Sequence, residues 1–179
     1  MENNSSNNNS ANKLTVVLFV IYLLVLVWIL LFKLGVQFSY MANRSVNLVP
    51  FREPLILNGK IDNGEIIMNI IIFIPLGIYT GILFKRFGFI KNVFFFFLTS
   101  FIVEALQYTF RIGAFDVTDI ITNTSGGIVG LMIFIAIRKM FKNDVKTQKF
   151  INTIASIGTF LMLLFLVLLK TNNLWIRYQ

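Results

Sequence analysis

The sequence predicts an all-α protein, a polytopic bundle of about five membrane-spanning helices. Three observations predict it. The chain is 56% hydrophobic with a mean hydropathy of +0.77. Only 13% of its 179 residues are charged, about half the share of an ordinary soluble domain. Finally, the apolar residues fall into five runs, each long enough to cross the hydrocarbon layer.

The runs are Leu14–Phe32, Ile66–Phe84, Asn92–Phe110, Ile120–Ile137 and Phe150–Leu169. At 18 to 20 residues each, a helix rises roughly 30 Å, the thickness of the bilayer core. With their flanks they predict helices over about 14–34, 65–84, 91–110, 117–137 and 150–170 within one transmembrane domain, 14–170. Residues 1–13 are Asn/Ser-rich and read as a disordered polar tail, and 171–179 as a short C-terminal tail. The first run lacks the basic flank and small-residue cleavage site of a signal peptide, so it is expected to stay as a spanning helix. Residues 33–65 form a long loop with Pro50, Pro54 and the turn pairs Asn58-Gly59 and Asn63-Gly64.

The net charge of +8 would point to nucleic acid in a soluble protein. Here the basic residues flank apolar runs, as they do at membrane boundaries, and no nucleic-acid partner is expected. Nine of them (Lys13, Lys85, Arg86, Lys91, Arg138, Lys139, Lys142, Lys146 and Lys149) lie on one side of the predicted topology, and seven, diluted by the long loop, on the other. The dense short loops place the N-terminus in the cytoplasm and the C-terminus outside.

With that orientation the polar residues of three helices meet near the outer face. Ser100, Glu104, Gln107 and Arg111 follow a 4-3-4 spacing, which keeps them on one helical stripe. Asp116, Asp119 and Asn123 do the same on the fourth helix, and Glu65 and Asn69 lie a turn apart on the second. An acidic residue facing lipid at mid-bilayer costs about 2.5–3.5 kcal/mol, so these stripes should face each other. An ion pair with Arg111 is the structural alternative for Glu104. Gly77-xxx-Gly81 and Gly126-xxx-Gly130 read as close-packing surfaces, and Pro75 as a kink.

Chemistry is constrained by what is missing. The chain has no His and no Cys, so neither a Ser/His nor a Cys/His nucleophile set exists, and no phosphate-binding glycine loop occurs. No cofactor is expected. Glu104, Asp116 and Asp119 are weak metal candidates that could hold a divalent cation through oxygen.

One ordered series resembles a known family. Arg44 precedes Asn47-Leu48-Val49-Pro50-Phe51; Asn69 precedes Phe73-Ile74-Pro75-Leu76-Gly77; Ser100, Glu104 and Gln107 follow; then Phe115-Asp116-Val117-Thr118-Asp119, Asn123 and Gly126-Gly127. Together they look like the VanZ-like family, over about half of the chain, with Ser125 where the pattern leads one to expect an apolar residue. The resemblance implies a bacterial cell-membrane protein of the envelope, whose namesake lowers susceptibility to teicoplanin. It extends the binding candidates to Arg44 and Asn47.

Three functions fit these residues. The favoured one is a non-catalytic envelope protein whose polar pocket binds a headgroup or partner, such as a lipid-linked wall precursor or lipoteichoic acid. The second is an intramembrane enzyme acting on a lipid-linked substrate through Glu104 with Asp116 or Asp119. The third is a small transporter or subunit in which Glu104 titrates.

Overall fold

The computed structural model describes residues 2–32, 46–51, 55–57, 60–62 and 64–170. They form five α-helices: α1 (Glu2–Phe32), α2 (Gly64–Leu83), α3 (Phe89–Phe110), α4 (Val117–Phe141) and α5 (Asp144–Lys170). Four short strands accompany them: β1 (Val46–Asn47), β2 (Leu55–Leu57), β3 (Lys60–Asp62) and β4 (Phe115–Asp116). The fold is an all-α helical bundle. Among the described residues, stretches of α1, α2, α3 and α4 are long and apolar enough to cross a membrane. Large side chains such as Leu24, Ile90 and Met132 are exposed, as surfaces solvated by lipid would be.

The chain divides into two compact units, one of Phe19–Met140 and one of Met1–Leu18 with Phe141–Gln179. In the larger unit, α2 and α4 touch backbone to backbone. A Cβ on Gly126 or Gly130 would run into the carbonyls of Ile70 and Ile74, and one on Gly77 into the backbone of Gly127 and Leu131. Only residues without side chains permit this approach, and in lipid such packing replaces the missing hydrophobic drive between helices. The two small-xxx-small stripes are therefore packing surfaces, as their spacing implies. Phe96 of α3 closes the seam over Gly127, and Phe73, Leu76 and Phe96 are wholly buried.

Pro75 lies inside α2. It has no N–H to give to the preceding turn, and its ring disturbs the carbonyls there. The Tyr22 hydroxyl of α1 donates to the carbonyl of Ile72 in that turn, at 2.8 Å. The Tyr22 ring meanwhile packs against Tyr79 and Phe19. A polar group on one helix thus repairs a break in its neighbour, as an apolar solvent requires.

α3 stops at a defined point. Arg111 has φ 60°, its N–H donates to the Tyr108 carbonyl, and the Ile112 N–H donates to the Gln107 carbonyl. This is a Schellman closure with Arg where Gly is usual, at a backbone cost of roughly 1–2 kcal/mol.

In the smaller unit the first turns of α5 pack on α1. The Gln148 amide donates to Thr15 Oγ1 at 2.7 Å and to Asn12 Oδ1 at 2.9 Å. Thr15 donates to Asn152 Oδ1, and the Asn152 amide to the Ala11 carbonyl. Thr15, Gln148 and Asn152 are buried. The helix of α1 runs through the Asn/Ser-rich stretch from Glu2, where the sequence leads one to expect disorder. Once Leu14–Phe32 is helical, each further residue adds a hydrogen bond without a new nucleus, and Ala11, Asn12 and Thr15 give this part a partner. α5 likewise begins at Asp144, earlier than its apolar run, because Asn143 caps it by accepting from the Lys146 N–H at 3.0 Å.

The long loop contains the antiparallel pair β2–β3, in register Leu57↔Lys60. The turn pair between them, 58–59, lies outside the described residues.

Two stability tests follow. Gly130→Ala should force α2 and α4 apart and cost about 1–3 kcal/mol, whereas Gly158→Ala, which meets nothing within 4 Å, should be neutral or gain up to about 1 kcal/mol. Tyr22→Phe keeps the ring packing but leaves the Ile72 carbonyl without its α1 donor, and should cost about 1 kcal/mol. Thermal melts of purified protein in one detergent would read all three.

Candidate functional site

Asp116 begins the site. It is the last residue of β4 and the cap of α4, where its Oδ1 accepts from the Thr118 N–H at 2.7 Å. Its Oδ2 accepts from the Asn47 amide at 3.1 Å. Its own N–H donates to Glu104 Oε2 at 3.2 Å. One residue therefore joins β1, α3 and α4.

β1 is held to β4 as a parallel pair, Val46 opposite Phe115 and Asn47 opposite Asp116. Asn47 also folds the chain that follows it, its Oδ1 accepting from the Val49 N–H at 3.3 Å, a side-chain mimic of a backbone turn. The Phe51 N–H then donates to Thr118 Oγ1 at 3.1 Å. So the Asn47–Phe51 turn hangs from the start of α4 at both ends. Its outer surface is apolar: Leu48, Val49 and Phe51 are all exposed, Leu48 at 66%. Phe51 has φ 57°, a conformation that favours Gly or Asn.

Behind the turn the polar residues pair across helices. Glu104 is only 2% exposed. The Asn69 amide of α2 donates to Asp119 Oδ1 of α4 at 2.8 Å. One turn deeper, the Asn123 amide donates to Ser100 Oγ of α3 at 3.0 Å, both side chains being buried. Asn123 Oδ1 has no hydrogen-bond partner. The Gln107 amide donates to the Leu30 carbonyl at 2.8 Å, one of the last four carbonyls of α1, which lack helical partners.

The site thus brings together Asn47, Asn69, Ser100, Glu104, Gln107, Asp116, Asp119 and Asn123 around one end of the larger unit. Arg44 lies outside the described residues. Arg111 departs from its expected stripe. The Schellman turn ends the helical period before it, and its side chain is exposed. Asp116 is likewise off the α4 stripe, because a cap residue precedes the helix it serves. Glu65 is exposed in the first turn of α2, where a negative charge suits the helix dipole. Thr118, which sequence reasoning passed over as a site residue, is buried and carries the Phe51 tether. An Asp with Thr two residues on, ahead of an apolar helix, is the capping signal that could have found it.

No group of three or more acidic side chains able to hold a metal occurs among the described residues. Chemically, the arrangement offers a buried carboxylate, amides and a capped turn behind an apolar tip.

The comparisons agree with this core. The family model described as VanZ/LLP1 matches residues 19–138. "Protein VanZ" of Enterococcus faecium is 37% identical over 153 residues, covering 84% of this chain and 89% of that one. No solved structure matches. The helices, the glycine seam and the Asp116 joint therefore belong to a multi-pass membrane protein of the VanZ/LLP1 family.

Proposed function

We propose that this protein works at the outer face of the bacterial cell membrane. There its Asn47–Phe51 turn and the Glu104–Asp116 cluster engage the headgroup of an envelope lipid, a lipid-linked wall precursor or lipoteichoic acid. The consequence is lowered susceptibility to teicoplanin-type glycopeptides, which act on wall precursors outside the membrane. The observation that carries the reading is the pairing of an exposed apolar tip with a buried polar cluster. Leu48, Val49 and Phe51 are exposed, while the residues that suspend them, Asn47 and Thr118, connect through Asp116 to Glu104. Such a tip can enter the headgroup layer and carry the cluster to a ligand there.

The likeness to VanZ supports the envelope setting. The outward orientation rests on charge. The turn between α2 and α3 carries Lys85 and Arg86, and the end of α4 carries Arg138 and Lys139, so the opposite end of these helices should face outward. The binding role is preferred to catalysis because the sequence offers no Ser/His or Cys/His nucleophile set.

Two measurements test the proposal. The chain has no cysteine, so single replacements report sidedness cleanly. Leu48→Cys should react with an impermeant maleimide on intact cells, and Phe87→Cys only after lysis; the reverse pattern would turn the site inward and end the reading. In a susceptible Gram-positive host at matched membrane levels, the wild-type protein should lower teicoplanin susceptibility and surface binding of a labelled lipoglycopeptide. Glu104→Gln keeps the shape and should lose most of both effects. Phe51→Asn keeps the positive φ but removes the ring, and should lose part. Wild-type behaviour of both variants would assign the cluster to folding alone.

A further inference from the structure

The smaller unit has a groove of its own. It is about 490 Å³, lined by Ser10, Ala11 and Leu14 of α1 and by Lys149, Asn152, Thr153, Ser156 and Ile157 of α5. Asn152 and Ala11 form a buried floor, fixed by the amide-to-carbonyl bond between them. Ser10, Lys149 and Thr153 are exposed at its rim. The lining changes character along the helices. Along α5 the lining runs from the Lys149 cation past Asn152 and Thr153 to Ser156 and Ile157, a rise of about 12 Å, and Leu14 of α1 adds a second large apolar side chain.

That gradient matches an amphiphile lying along the helices, headgroup toward Lys149 and chain toward Ile157. The charge is one-sided. Lys13, Lys142, Lys146 and Lys149 belong to this unit, and Asp144 is the one carboxylate among its described side chains. Basic pockets beside membrane helices attract anionic headgroups. The unit lies outside the stretch 19–138 that matches the family model.

The geometry points to a seat for an anionic phospholipid in the α1–α5 groove. Its phosphate lies against the Lys149 ammonium and the Ser10 hydroxyl, and an acyl chain lies along Leu14 and Ile157. This seat does not depend on the polar site around Asp116.

Native mass spectrometry of the full chain, stripped of lipid and titrated with phosphatidylglycerol or phosphatidylcholine, tests it. Phosphatidylglycerol should give a retained adduct several-fold above phosphatidylcholine. Lys149→Gln should remove that preference, and Ser156→Leu, which fills the groove without changing charge, should reduce the adduct itself. Lys85→Gln should leave it unchanged. Equal retention of both lipids, or retention unaffected by Lys149→Gln and Ser156→Leu, would overturn the proposal. So would displacement by inorganic phosphate, which would make the groove a free-anion site. A dimer peak in place of the adduct, abolished by Ser156→Leu, would give the groove to a second copy of the chain and overturn it equally.

Discussion

The apolar turn, the start of α4 and the buried Glu104 carboxylate are joined through Asp116. Its two carboxylate oxygens and its backbone N–H reach three elements, α4 two residues on, α3 twelve residues back and β1 69 residues back. Without the Thr118 bond, α4 loses its cap. Without the Asn47 bond, the apolar turn loses its anchor. Without the Glu104 bond, a buried carboxylate loses a donor, a loss that costs more than an ordinary hydrogen bond contributes. These bonds share one residue, so their losses would not be independent. The joint either forms as a whole or leaves several polar groups exposed to an apolar medium.

The joint works because the helices beneath it are fixed. Glycine contacts between α2 and α4 bring the two backbones together, leaving little freedom for sliding or rotation. That approach sets the distance at which Asn69 meets Asp119, and Phe96 packed on Gly127 brings α3 up to α4 so that Ser100 meets Asn123. The sequence alternates small residues for packing with amides for pairing on the same helical faces. Seam and cluster are thus two parts of one surface. In water the amides could find other partners; in lipid they have few.

How much of this was legible follows from the period of each feature. The helices and the glycine stripes were legible because both are local, repeating every turn. So was the convergence of Asn69, Glu104, Asp119 and Asn123, since alternating helices carry polar ends to alternating faces. The parallel pair β1–β4 was not. It spans two residues on each side and joins segments 69 apart, a contact without local pattern. Arg111 was misplaced because extrapolating a helical stripe assumes that the helix continues. The tie of Thr15, Gln148 and Asn152 was hidden for a related reason: hydropathy placed the start of α5 at Phe150, after Gln148 had already packed against α1.

The placement of the buried carboxylate bears on what the family core is for. Glu104 is almost fully buried, and its retention carries a desolvation cost that a well-packed apolar side chain would avoid. One hydrogen bond of Glu104 runs to the turn that carries β4, from the Asp116 N–H. The carboxylate thereby supports a short loop and the apolar tip paired with it. All of these residues from Val46 to Asn123 fall inside the stretch that matches the family model, whereas the α1–α5 groove does not. A function shared across the family should therefore reside in the tip and its buried carboxylate, and the groove should adjust how this chain sits in its own membrane.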